Sequence, residues 1–243
     1  MPTADGRKEQ VVILAGGFAS RLGPLAREVP KVLQPVGDET FLDVMLTPLR
    51  ASGFRRFHFC LGHLADAVRR YLERWEGELE ISSSVERNPR GTAGALLDGL
   101  GHLDDLFLLV LGDTYLDIDY ARVVDLMPGG LPALMVATSA PCGVTPNVLL
   151  SGGHVVRYDK DGVPGGLTDT GVAVLRRSAL DPLLARAGPV DLGDVFRRLI
   201  GRGELAGTQI AERFYDIGTP ARYGQFVAHR HRTRQQRRKE GQP

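Results

Sequence analysis

A doubly wound α/β domain on a mostly parallel mixed sheet, with helices on both faces, is the fold this sequence predicts. Three observations carry that expectation. The stretch QVVILAGG, residues 10–17, is a continuous apolar run ending in glycines, the pattern of a strand buried on both faces that feeds a ligand loop. Strand patterns then alternate with helix patterns through the first half of the chain, an order that lays parallel strands side by side. A second buried run, residues 107–111, ends on Gly112 and Asp113. Ligands of such sheets sit beyond the carboxyl ends of the strands, so a site is expected at those two ends. The 243 residues, 43% apolar and 24% charged, suit one unit with a sizeable core.

Each element follows from local pattern. Residues 18–37 hold glycines, prolines and charges without a steady period and read as a loop. Thr40 with Asp43 has the spacing of a helix N-cap and its returning acid; Phe41, Val44, Met45, Leu46 and Leu49 then give an apolar face up to a stop at Gly53. Arg56–Leu61 alternates as a strand, 66–75 reads as a helix, 79–85 as a strand and 92–100 as a helix. After Leu131 glycine and proline become frequent, and short strands are expected at Ala133–Thr138 and 171–175, adding a mixed half to the same sheet. One domain is expected over 1–231. Residues 232–243 belong to the arginine-dense, apolar-poor HRHRTRQQRRKEGQP and are expected to be a solvated, disordered basic tail.

Composition narrows the function classes. A formal net charge of +1 gives no whole-molecule attraction to nucleic acid or to an anionic membrane, so anion binding must be local. No aromatic stacking set accompanies the basic tail, which argues against nucleic-acid binding. The apolar run around 106–111 falls far short of the ~20 residues of a membrane span. Cys60 and Cys142 form neither zinc spacing nor a disulfide framework, and the six histidines form no metal pattern. A soluble cytoplasmic protein is expected, with self-association left open.

The sharpest motif is LAGGFASRLGPLAREVPKVLQPVG, residues 14–37. Gly16 and Gly17 after a strand allow close backbone approach to an anion and offer N–H groups to phosphate oxygens. Arg21 and, behind Pro30, Lys31 add two cations to that cradle. The chain lacks GxxxxGK[ST] and the full GxGxxG, so it is neither a P-loop protein nor a dinucleotide fold of the usual kind.

Taken with RNPRGTAGAL, LVLGDTYLD, RYDKDG and FYDIGTPARYG in that order, this motif resembles the sugar-1-phosphate nucleotidyltransferase family, whose opening reads LAGGxGTRLxPLT and then PKxLxPV. Order and spacing are most similar to the short D-glycero-D-manno-heptose 1-phosphate guanylyltransferase branch. Molybdopterin guanylyltransferases share the early LAGG but set arginine and lysine closer together. Two departures stand out: Ala19-Ser20 replaces the usual Gly-Thr, and Asp169 stands where the branch has asparagine.

The resemblance implies a Rossmann-like nucleotide-diphospho-sugar transferase fold. It implies transfer of a nucleoside monophosphate from a nucleoside triphosphate, GTP favoured, to a sugar 1-phosphate, heptose 1-phosphate favoured, with pyrophosphate released. Arg21 and Lys31 would serve the triphosphate; Leu14, Ala15, Gly16, Gly17, Glu86, Gly91 and Thr92 would line the nucleotide, Glu86 facing the base. Lys160 and Asp169 would meet the sugar phosphate, and Asp113 with Asp216 would hold Mg2+. The chemistry agrees, since bringing a triphosphate against a sugar phosphate needs cations and phosphoryl-type transfer asks mainly for positioning. A UTP-, CTP- or ATP-using hexose-1-phosphate enzyme is the alternative. A catalytically silent binding subunit is the other, and the joint presence of both cations and both aspartates argues against it.

Overall fold

The computed structural model describes residues 6–18, 20–184 and 188–239. In chain order its elements begin with β1 (Gln10–Ala15), β2 (Pro35–Val36), β3 (Glu39–Thr40), α1 (Phe41–Ala51), β4 (Arg56–Leu61), α2 (Ala65–Leu72), β5 (Glu80–Val85) and α3 (Gly91–Asp98). Next come β6 (Leu106–Leu111), β7 (Thr114–Tyr115), α4 (Tyr120–Asp125), β8 (Ala133–Thr138), β9 (Val148–Ser151), β10 (His154–Tyr158) and β11 (Thr168–Arg176). The chain closes with α5 (Leu192–Ile200), β12 (Leu205–Ile210), β13 (Tyr215–Asp216) and α6 (Pro220–Lys239).

Nine strands form one sheet in the order β5-β4-β1-β6-β11-β8-β12-β10-β9. β1 runs parallel to β4 and β6, β4 to β5, and β8 to β12, while β11 and β10 run against their neighbours. The mostly parallel mixed sheet is therefore as expected. Alternate residues of β1 explain its apolar run: Val11 and Ile13 enter one core with α1, α2 and Phe226 of α6, and Val12 enters the other with α3 and α5. From β1 the chain adds β4 and β5 on one side, then places β6 on the other. This is the topological switch point of the sheet, and the Gly16-Gly17 and Gly112-Asp113 ends flank it.

The N-cap of α1 is as the sequence predicts: Asp43 N–H donates to Thr40 Oγ1 at 3.2 Å and Thr40 N–H donates to Asp43 Oδ2 at 2.9 Å. Elsewhere tertiary packing redraws the boundaries. The loop expected over 18–37 contains 3-10 turns at Ser20–Ala26 and Lys31–Leu33 and the first strand of the hairpin β2–β3, which its proline spacing conceals. The expected helix 66–75 ends at Leu72 and tightens into a 3-10 turn, while the strand expected over 171–175 extends to Thr168–Arg176.

The tail differs most. Residues 232–239 of the expected tail continue α6, whose basic side chains Arg230 and Arg234 meet Glu39 of the hairpin, and residues 240–243 lie outside the described residues. Arg234 pairs with Glu39, and Arg230 Nη1 donates to Tyr115 Oη at 3.4 Å. Phe226 is fully buried against Phe41, Tyr115 and Tyr215, with ring centroids 5.1–5.8 Å apart. No helix among the described residues is long and apolar enough to cross a membrane.

Candidate active site

A cavity of about 380 Å³ opens at the switch point. Leu14, Ala15, Gly16 and Gly17 at the end of β1 form one wall, with Leu111, Gly112 and Asp113 at the end of β6 beside them. Arg21 and Lys31 reach in from the loop, and Glu86, Gly91 and Thr92 come from the β5–α3 connection. Ten of the thirteen residues expected from sequence thus line one space. Of the two glycines, Gly17 has open surroundings. A side chain at Gly16 would lie 2.8 Å from Glu86 Oε1 and 3.2 Å from Gly62 N, so that glycine lets the ends of β1 and β4 close together. Ala19 lies outside the described residues.

Electrostatics concentrate around Asp113. Lys31 Nζ donates to its Oδ2 at 2.8 Å, with side-chain exposures of only 17% and 25%. Asp216 is 103 positions away by number but neighbours Asp113 in space, because β13 pairs with β7, Asp216 opposite Thr114, and Ile217 N–H donates to Asp113 O at 3.0 Å. One point marks their convergence: a Cβ placed on Gly218 would lie 2.9 Å from Asp216 Oδ1, 3.6 Å from Arg21 Nη2 and 3.9 Å from Asp113 Oδ2. Asp216 is not on the cavity wall. Arg222 Nη1 donates to both of its oxygens, at 3.2 and 3.0 Å, and Gly218 N–H donates to Oδ1 at 2.9 Å.

This donor set fits a hard divalent cation. Two convergent carboxylates are what magnesium sites use when water and substrate phosphates supply the remaining oxygens. No cluster of three or more His, Cys, Asp or Glu suited to a metal occurs among the described residues.

Glu86 is half-buried, and burial raises its carboxyl above the usual range. Its Oε2 accepts from Arg90 N–H at 3.3 Å. Gly91 takes φ +81°, and a Cβ there would lie 2.7 Å from Val190 O, so the entry to α3 requires glycine. The first N–H groups of α3 at Ala93 and Gly94 donate to Val190 O, and Thr92 Oγ1 accepts from Leu192 N–H at 2.8 Å.

Lys160 and Asp169 lie instead in an adjoining pocket of about 160 Å³. Thr92, Leu111 and Asp191 are common to both spaces. Lys160 Nζ donates to Asp191 Oδ2 at 3.1 Å, both side chains well exposed. Asp169 sits where β11 departs from regular register, accepting from Gly171 N–H at 2.9 Å. Burial pushes its carboxyl up to about 6 and, with Asp169 nearby, the Tyr158 hydroxyl up to about 12. Leu109, Val172, Ala173 and Phe196 make the rest of this pocket apolar.

Sequence reasoning missed Asp191 and Arg222. Asp191 caps α5 with Asp194 as its returning acid, a spacing readable in DLGDVF before an apolar run. Arg222 lies inside the FYDIGTPARYG motif, but its pairing with Asp216 depends on how α6 meets β13.

With this geometry in view, residues 10–128 match the model of the nucleotidyl transferase family. Through this segment, about half of its length, the chain is similar to that family. It is 27% identical over 114 residues to a D-glycero-alpha-D-manno-heptose 1-phosphate guanylyltransferase of Campylobacter jejuni, covering 47% of this chain and 52% of that one. It is 24% identical over 244 residues to a UTP–glucose-1-phosphate uridylyltransferase of Synechocystis, covering 90% and 62%. The chain spans between half and two thirds of the length of these curated relatives. HddC from Yersinia pseudotuberculosis, solved with GMP-PN, shares the fold with a TM-score of 0.74 at 20% identity, over 91% of this chain and 99% of that one. The chain thus has the Rossmann-like fold expected of it.

Proposed function

We propose that this chain transfers a nucleoside monophosphate from a nucleoside triphosphate to a sugar 1-phosphate and releases pyrophosphate. One observation carries the reading: a cation-lined cavity beside a glycine turn shares a wall with a second pocket that holds its own lysine. Two anionic substrates would then meet at Thr92, Leu111 and Asp191.

In this reading an oxygen of the sugar phosphate attacks the α-phosphorus in line, forming the new P–O bond as the bond to the β-phosphate oxygen breaks. At ~4 Å two unit charges near a protein surface repel by about 4 kcal/mol, so positioned cations are essential. Arg21 and Lys31 offset charge on the triphosphate and on the departing pyrophosphate. Gly17 offers its backbone without a side chain in the way. Asp113 and Asp216 are the residues that would hold Mg2+, which when bound neutralises charge on phosphate oxygens. Lys160 orients the acceptor phosphate, and Asp169 with the apolar wall selects the sugar.

GTP is the favoured donor. Guanine presents N1–H and an exocyclic amine side by side, and a carboxylate such as Glu86 accepts from both. The similarity to a heptose 1-phosphate guanylyltransferase supports GTP and heptose 1-phosphate, and the similarity to a uridylyltransferase keeps UTP as runner-up. Pyrophosphate release that requires both a nucleoside triphosphate and a sugar 1-phosphate is the expected result. Binding of both without release would favour a silent binding subunit.

A further inference from the structure

We infer that Arg222 is a positioning residue that holds Asp216 for a divalent cation while weakening the affinity of the carboxylate pair for the bare ion, so that the cation is retained only together with a triphosphate. The inference rests on the nucleotidyl-transfer reading above and deepens it.

Three features of the structure lead there. First, each carboxylate of the convergent pair already carries a cation of the chain, Lys31 on Asp113 at 2.8 Å and Arg222 on Asp216 at 3.0 and 3.2 Å. Second, these two cations differ in placement. Lys31 lines the cavity and is within reach of an entering phosphate, whereas neither Asp216 nor Arg222 is on the cavity wall. Third, a single nitrogen of Arg222 faces both oxygens of Asp216 while Gly218 N–H binds one of them, which fixes the carboxylate plane.

Charge decides the consequence. A triphosphate draws Lys31 toward its own oxygens and frees Asp113, but it offers Arg222 no contact. The guanidinium therefore stays beside Asp216 and repels a second cation at the same carboxylate, the more strongly because the side chains are only 32% and 15% exposed. Triphosphate oxygens add the negative charge that restores the balance. Arg222 thereby couples metal retention to nucleotide.

Mn2+ binding followed by electron paramagnetic resonance tests this without turnover, with and without GTP. Arg222→Met removes the charge at similar length and should tighten Mn2+ binding to the protein alone at least tenfold, while shrinking the gain that GTP brings. Arg222→Lys retains the charge and should stay near the parent. A thermal melt matching the parent shows that α6 remains docked. Unchanged or weaker Mn2+ binding in Arg222→Met would overturn the inference, as would equal behaviour of the Lys and Met variants. If GTP fails to enhance Mn2+ binding in the parent itself, the nucleotide reading falls, and the ratio of Met variant to parent without GTP still judges Arg222.

Discussion

Lys31 and Lys160 each meet an aspartate at nearly the same distance, 2.8 and 3.1 Å, in contrasting surroundings. The Lys31–Asp113 pair is shielded at the switch point, with side chains 17% and 25% exposed. The Lys160–Asp191 pair is 56% and 48% exposed at the mouth of the second pocket. An exposed pair is screened by water and contributes little, whereas a shielded one acts through a lower effective dielectric. In the proposed reaction the donor side would therefore rely on fixed charge. The acceptor side would rely on shape, with apolar walls and one half-buried carboxyl, Asp169.

The sharpest way to break this contrast is to remove each lysine in turn. Lys31→Ala should lower kcat by ~10²–10³, about 3–4 kcal/mol of transition-state stabilisation, in a protein that still folds. Near-parental turnover at saturating substrates would take Lys31 out of catalysis.

Asp169 probes the acceptor side through stability. Its carboxyl is held at about 6, above the ordinary 3.8, so the folded state binds this proton more tightly than the unfolded state. The linked stability is complete below pH ~4 and is lost as pH rises through about 6. Asp169→Asn should therefore stabilise the fold at pH 7 by about 1–3 kcal/mol and flatten the denaturation profile between these limits. Urea titrations across that pH range check it, and an unchanged profile would mean that Asp169 is solvated.

Glu86→Gln concerns selection on the donor side. It should reduce the preference for GTP over UTP roughly tenfold, since a mispaired polar group costs ~1–3 kcal/mol, without much change in KM for the sugar phosphate. Equal kcat/KM ratios in parent and variant would refute base reading by Glu86. The smallest effect belongs to Lys160→Ala, a several-fold rise in KM for the sugar phosphate with the nucleotide KM unmoved, because an exposed ion pair contributes up to ~1 kcal/mol. Equal effects on both substrates would remove Lys160 from the acceptor.

What the sequence disclosed follows the same division. The donor cavity was legible because its parts are local: a strand that ends on Gly16-Gly17, two cations in the next loop, and a second strand that ends on Asp113. Thr40 and Asp43 announced α1 for the same reason. The acceptor side was only partly legible. β11 enters the sheet between β6 and β8, and its irregularity at Asp169 depends on that pairing. Arg222 meets Asp216 only because α6 folds back over Tyr115 and Tyr215. The basic run from Arg230 reads as a solvated tail until Glu39 is found beside it.

The central claim is that the two joined pockets take a nucleoside triphosphate and a sugar 1-phosphate and link them. Incubation of the protein and Mg2+ with each of four ribonucleoside triphosphates against heptose, mannose and glucose 1-phosphates, read by product mass, tests it most directly. The account predicts a nucleoside diphosphate sugar with equimolar pyrophosphate, formed fastest from GTP and heptose 1-phosphate. Absence of any sugar nucleotide across the whole matrix, from folded protein that binds GTP, would contradict it.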